Sequence, residues 1–274
     1  MSKAFNLLSI IVFMHTHLEK YFSQRVKNLF NHLHDFELTG DEVSLHDLRV
    51  EMKKLRAIIK FLRNIYSKTR IKKPAHALRA IFQQAGEIRE YQIISLWLQK
   101  NNFSMIEQVY FPADQLKYMI MEFQKDTEHL KEEFNKIIES ISPFIENTNE
   151  ILAEQYFVDL NALLEQLCNK DLPQTEWHEL RKLTKQRIYA YNWISHEKEG
   201  EDSNFSYYHK LQEAIGFWHD LVIIKDAFST QQVYLSQDIE VQKDFTIAWE
   251  KLAASLKQRE KQIEELLSRQ LVHE

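Results

Sequence analysis

Residues 46–57 read HDLRVEMKKLRA, and residues 178–190 read HELRKLTKQRIYA. Each sets an acid, a leucine and an arginine directly after a histidine, and a lysine seven residues after it. His46, Arg49 and Lys53 therefore stand with His178, Arg181 and Lys185. Downstream, LRAIFQQAGEIREYQII at 78–94 matches LQEAIGFWHDLVIIKD at 211–226 with one residue of slack. There Gly86 stands with Gly216, Arg89 with His219, and Glu90 with Asp220. The offsets of 132 and 130 residues are nearly one period, and two of only four glycines fall at equivalent places. Such self-similarity marks a duplication. It predicts two tandem four-helix units, 1–145 and 146–274, divided near residues 142–149.

Composition agrees with helices and excludes most other classes. Four Gly and four Pro in 274 residues are too few turn formers for a β-sandwich or a Rossmann-type fold. Isolated glycines cannot build a phosphate-cradling loop either. An all-α protein remains. Helical periodicity breaks at 36–41, 71–74, 101–112, 142–149, 168–174, 197–204 and 229–236, which predicts about eight helices. The single cysteine, Cys168, cannot close an internal disulfide and fits a reducing compartment. No apolar run approaches the roughly 18 residues that span a bilayer. The nearest, Phe5 to Met14, reads as the first turns of a buried helix leading into Leu18, Phe22 and Val26. A soluble, cytoplasmic protein is expected.

Charge is unevenly placed. From His46 to Arg79 there are eleven Lys and Arg against two acids, a local charge of +9. The net −5 of the chain leaves −14 for everything else. At about 100° per residue, His46, Arg49, Lys53, Arg56, Lys60 and Arg63 fall on one stripe, while Leu48, Leu55, Ile59 and Leu62 gather on an apolar face beside it. Like charges three and four residues apart repel, so the stripe gains nothing without a counter-anion. A linear polyanion is the ligand such a run can follow. In the second copy His178, Arg181 and Lys185 reproduce the stripe, but Ile188 and Asn192 stand where it would continue. The first repeat is thus expected to supply most of the electrostatic affinity. Lys54 falls off the stripe, and Arg187 falls in the apolar register, where it would snorkel or pair with a buried acid. The motif histidines read equally as phosphate donors and as residues fixing a helix start.

The repeated His-x-x-Arg-x-x-x-Lys helix, followed by a helix carrying Gly-x-x-(Arg/His)-(Glu/Asp), resembles the CHAD family, the conserved histidine α-helical domain. The resemblance covers almost the whole chain. It implies two pseudo-symmetric four-helix bundles with a basic groove or channel between them that binds inorganic polyphosphate without catalysis. It also implies a site drawn from His46, Arg49, Lys53, Arg56, Lys60, Arg63, Arg89, His178, Arg181, Lys185 and His219, and a location at polyphosphate granules. Family members carry a basic residue ten positions after the motif histidine. Here that is Arg56 in the first copy but Ile188 in the second.

Other chemistry is poorly supported by the residues. His219-Asp220 suggests a metal-dependent phosphohydrolase, yet the equivalent pair Arg89-Glu90 cannot hold a metal in the same way. There is no HExxH motif, and no nucleophile–base pair stands out, so neither an enzyme nor a cofactor is expected. Two alternatives remain open. One is a weak single-stranded nucleic-acid binder, although the first stripe lacks interleaved aromatics for base stacking. The other is a structural or adaptor bundle whose groove is vestigial.

Overall fold

A computed structural model describes residues 2–66, 68–168, 172–194, 203–231 and 238–270, with side chains from residue 18 onward except at 68, 69, 150, 194, 203, 204, 269 and 270. The described residues form ten helices: α1 (Ser2–Thr39), α2 (Glu42–Ile65), α3 (Lys68–Lys100), α4 (Ser104–Tyr110), α5 (Ala113–Lys125), α6 (Thr127–Glu146), α7 (Glu150–Cys168), α8 (Gln174–Ile194), α9 (Ser203–Gln231) and α10 (Ile239–Gln270). The all-α expectation holds, but the count of eight is corrected to ten. The stretch at 101–112 is not one long break. It holds the short helix α4 and leads into α5, both set between α3 and α6. The break placed at 71–74 is also corrected. It falls at Tyr66, and α3 runs through Pro74 in its second turn, where proline forgoes one backbone hydrogen bond. The side chains of Phe5 to Met14 lie outside the described residues.

The helix that carries the first stripe is sharply started. Gly40 takes the positive φ (63°) that turns the chain out of α1, which an L side chain would resist. Asp41 then caps α2, its carboxylate accepting from the amides of Val43 and Ser44 at 2.8 and 2.9 Å. Hydrogen bonds from the Ser44 and Thr39 hydroxyls, followed by these amides, hold the Asp41 carboxyl well below the usual range, and such a cap contributes about 1 kcal/mol. The register it sets buries Leu48, Leu55, Ile59 and Leu62, the apolar face read from the sequence. Arg63 closes the last turn, where the helix dipole favours a cation.

The two repeats share their interior. One apolar cluster gathers α1, α2, α3 and α6 and also takes Ala153, Tyr156 and Leu160 from α7. A second joins Leu98 and Phe103 of the first repeat to Phe228, Phe245 and Leu252 of the second. A third unites α7, α8, α9 and α10 around Trp177, Leu211 and Ile263. Each fully buried side chain of this size contributes about 1.5–3 kcal/mol. The duplicated helices therefore meet: α2 packs on α8, and α3 on α9. No helix among the described residues is long and apolar enough to cross a membrane.

Candidate functional site

A cleft of about 630 Å³ opens where α2, α3 and α8 meet. From α2 come Lys53, Arg56, Lys60 and Arg63; from α3, Arg79, Phe82 and Gln83; from α8, His178, Arg181, Lys182, Lys185 and Tyr189. Eight Lys and Arg line the cleft and no carboxylate does. Its floor is pinned by Gln186, whose Nε2 donates to the Ala57 carbonyl at 2.8 Å and ties α8 to α2. The cations fall into two groups. Arg56, Lys60, Arg63, Arg79 and Lys182 are exposed at the outer end, whereas Lys53, Arg181 and Lys185 are half-buried at the inner end.

The repeated glycines are explained by the repeated arginines. Arg49 lies across α3, where its Nη1 donates to the Phe82 carbonyl at 2.9 Å. A Cβ at Gly86 would stand 3.1 Å from that same Nη1. In the second repeat Arg181 crosses α9 over Gly216, where a Cβ would stand 3.5 Å from Nε. Arg49 thus takes up part of the space a side chain at Gly86 would need, whereas Arg181 comes only into ordinary contact with Gly216. Arg49 and Arg56 also sit over the Phe82 ring, 4.2 and 4.6 Å from its centroid. This cation–π contact helps hold two like charges close together.

Burial dominates the electrostatics. The Lys53 ammonium is pushed down to about 6, first by desolvation and then by Lys185, Arg49 and Arg181, with Asp220 opposing. The same causes bring Lys185 to about 8, and burial lowers Arg49 to about 10. Arg181, Arg56 and Lys60 are lowered too, each chiefly by burial. The inner end therefore carries its positive charge at a cost that a bound anion, or loss of the Lys53 proton, relieves. Behind the wall, the equivalent carboxylates Glu90 and Asp220 are raised by burial.

Four sequence-selected residues do not line the cleft. Arg49 stands behind Phe82. Arg89 is taken up by an ion pair with Glu42. His219 stacks on His178, ring centroids 5.0 Å apart, and is pushed down to about 4 by burial, Arg181 and His178. His46 is exposed, and desolvation with Arg89 and Lys53 lowers it. His178 does line the cleft and is also lowered by burial. At neutral pH these histidines are neutral hydrogen-bonding groups rather than cations. Lys54 pairs with buried Glu51 at 2.8 Å on another face. Arg187 is buried, its Nε donating to Asn161 at 2.7 Å and its guanidinium over the Tyr208 ring. Sequence reasoning missed Arg79, Phe82, Lys182, Tyr189 and Asp220. The signal for Arg79 and Phe82 was present, since they precede Gly86 by seven and four residues and share its helical face.

The sequence model of the CHAD domain matches residues 20–229. The chain belongs to the CHAD family. Among solved structures, this CHAD protein is similar to the CHAD domain of the plant Ricinus communis, with a TM-score of 0.64 and 14% identity over 93% of this chain and 91% of that one. It is also similar to PptA from Streptomyces chartreusis, with a TM-score of 0.60 and 10% identity over 93% and 99%. At these identities the likeness is one of fold. No curated protein matches the sequence. Among the described residues no group of three or more His, Cys, Asp and Glu comes together.

Proposed function

We propose that this CHAD domain binds inorganic polyphosphate in the cytoplasm without hydrolysing it, laying the chain along the cleft between α2, α3 and α8. The observation that carries this reading is the lining, with eight cations, no carboxylate and contributions from both repeats. A linear chain of phosphates matches a linear run of cations, and each neutralised phosphate releases condensed counterions. The exposed outer cations recruit the chain. The half-buried inner ones bind it where the local dielectric strengthens each contact. His178 and Gln83 add neutral polar groups. The Phe82 ring already carries two guanidiniums, so it offers a nucleobase little free face to stack on.

Competition tests the reading. Long polyphosphate is expected to displace single-stranded DNA of equal charge, with no phosphate released in the presence of divalent metal. Equal or better binding of DNA would overturn it in favour of a nucleic-acid binder. Binding of neither would leave the bundle a scaffold.

A further inference from the structure

Asp220 is placed where the inner cations of both repeats meet. The turn of α9 that carries it is fixed twice over. Arg181 lies along Gly216, four residues earlier and hence on the same helical face, and the preceding His219 is stacked on His178 of α8. The half-buried carboxylate is thereby held among Arg181 and Lys185 of α8, Arg89 of α3 and Lys53 of α2, all of which act on it. Among the described residues it closes no ion pair with any of the four, so its field is shared among them. In the first repeat Glu90 stands in the same relation to Gly86 and Arg49. It is exposed, however, and acts on neither lysine.

We propose that Asp220 is a positioning residue, a charge-balancing carboxylate behind the cleft wall that offsets the cations crowded around Lys53 and Lys185 and so eases their protonation when an anion arrives. Lys53 otherwise faces only cations: Arg49 on its own helix, Arg181 and Lys185 across from it. Lys185 faces Arg181 and Arg49, again with Asp220 alone opposing. The inference deepens the polyphosphate reading, but its first readout is made on the free protein and does not depend on it.

Lysine titrations followed by NMR on the full chain test the role. In Asp220→Asn the Lys53 and Lys185 midpoints are expected to fall by about one unit, the effect of removing a nearby opposite charge. Asp220→Glu should titrate as the parent. A folded Asp220→Asn protein with unmoved lysines would overturn the proposal. A reciprocal variant covers the case in which Asp220→Asn does not fold. Lys53→Met, which removes a costly buried charge, should raise the Asp220 carboxyl midpoint, and an unmoved carboxyl would equally overturn it. With polyphosphate added, Asp220→Asn should take up more protons on binding than the parent, and the fall of affinity with pH should begin at a lower pH. Lysine shifts as expected without polyphosphate binding would leave Asp220's role standing and defeat the polyphosphate reading.

Discussion

In the first repeat the cationic stripe runs the length of α2, from Arg49 to Arg63, whereas in the second it stops after Lys185. The structure supplies the reason. Ile188, the counterpart of Arg56, is buried in the apolar cluster shared by α7, α8, α9 and α10. Asn192, the counterpart of Lys60, turns its Nδ2 back to the Ile188 carbonyl at 3.0 Å. The matching part of α8 is thus spent on packing, while that of α2 faces the open cleft. The inner pairs, Arg49 with Lys53 and Arg181 with Lys185, remain alike in residue type and in being half-buried. The inner end thus keeps the same residue types in both copies, whereas the outer end differs in charge.

The largest expected effect tests the outer end. Reversing Arg56, Lys60 and Arg63 to Glu should weaken polyphosphate binding about a thousandfold near 0.1 M salt and flatten the log–log salt slope by about three units. These side chains are exposed, so the thermal midpoint should fall only slightly, through the lost contacts of Arg56 with Phe82 and of Arg63 with the end of α2. Lys182→Glu, the exposed change available on α8, should cost no more than about tenfold, because Lys182 is already paired with Glu179 at 2.7 Å. Equal losses from the two would erase the asymmetry.

The next effect probes the inner end through pH. Lys53 loses its proton near 6 in the empty cleft, against 10.5 for an ordinary lysine. A bound polyanion holds that proton on, so affinity should fall as pH rises above 6, by up to about tenfold per unit. Lys185 should add its share above about 8. Lys53→Met should flatten the profile between pH 6 and 8, and Lys185→Met should flatten it only above. Stability moves the other way. Between pH 6 and 10 the unfolded chain binds more protons than the fold, so this group's contribution to stability rises with pH. At pH 7 Lys53→Met should therefore raise the melting temperature of the free protein by a few degrees, worth about 1–2 kcal/mol. A lowered melting temperature would contradict the assigned cost.

The smallest effect separates the two arginine seats. In Gly86→Ala the new Cβ meets the Arg49 guanidinium at 3.1 Å, so that side chain must shift and binding should weaken several-fold. In Gly216→Ala the contact at 3.5 Å is ordinary packing. Binding should stay within about twofold there, and the helix should gain up to about 1 kcal/mol. Equal effects at both sites, measured by affinity and thermal unfolding together, would remove this difference between the repeats.

The fold and the outer stripe were legible in the sequence because both rest on periodicity. The spacing of Leu48, Leu55, Ile59 and Leu62 fixed which face of α2 is buried, and that placed Arg56, Lys60 and Arg63 beside it. The repeated glycines marked the duplication, although their role needed the crossing arginines to be seen. What stayed hidden depends on contacts between distant helices. Arg89 looked like a ligand until Glu42, forty-seven residues earlier, took it up. Phe82 drew no notice in the sequence, yet it faces the cleft and carries Arg49 and Arg56. Asp220 looked like half of a metal motif, and only the approach of α2, α3 and α8 surrounds it with cations. Helix α4 was missed because it has seven residues, too few for a periodic signal, and the division of the helix expected after residue 112 into α5 and α6 at Asp126 carries no glycine or proline to mark it.

The central claim is that the two repeats build one site. Calorimetric titration of the protein with a short polyphosphate chain tests it most directly, with parent, Arg56→Glu/Lys60→Glu/Arg63→Glu and Arg181→Gln/Lys185→Gln proteins compared in one buffer. The account predicts one chain per molecule for the parent, and loss of affinity in that single event when either repeat's cations are changed. Two chains per molecule, or a binding event that survives intact when one repeat's cations are removed, would contradict it.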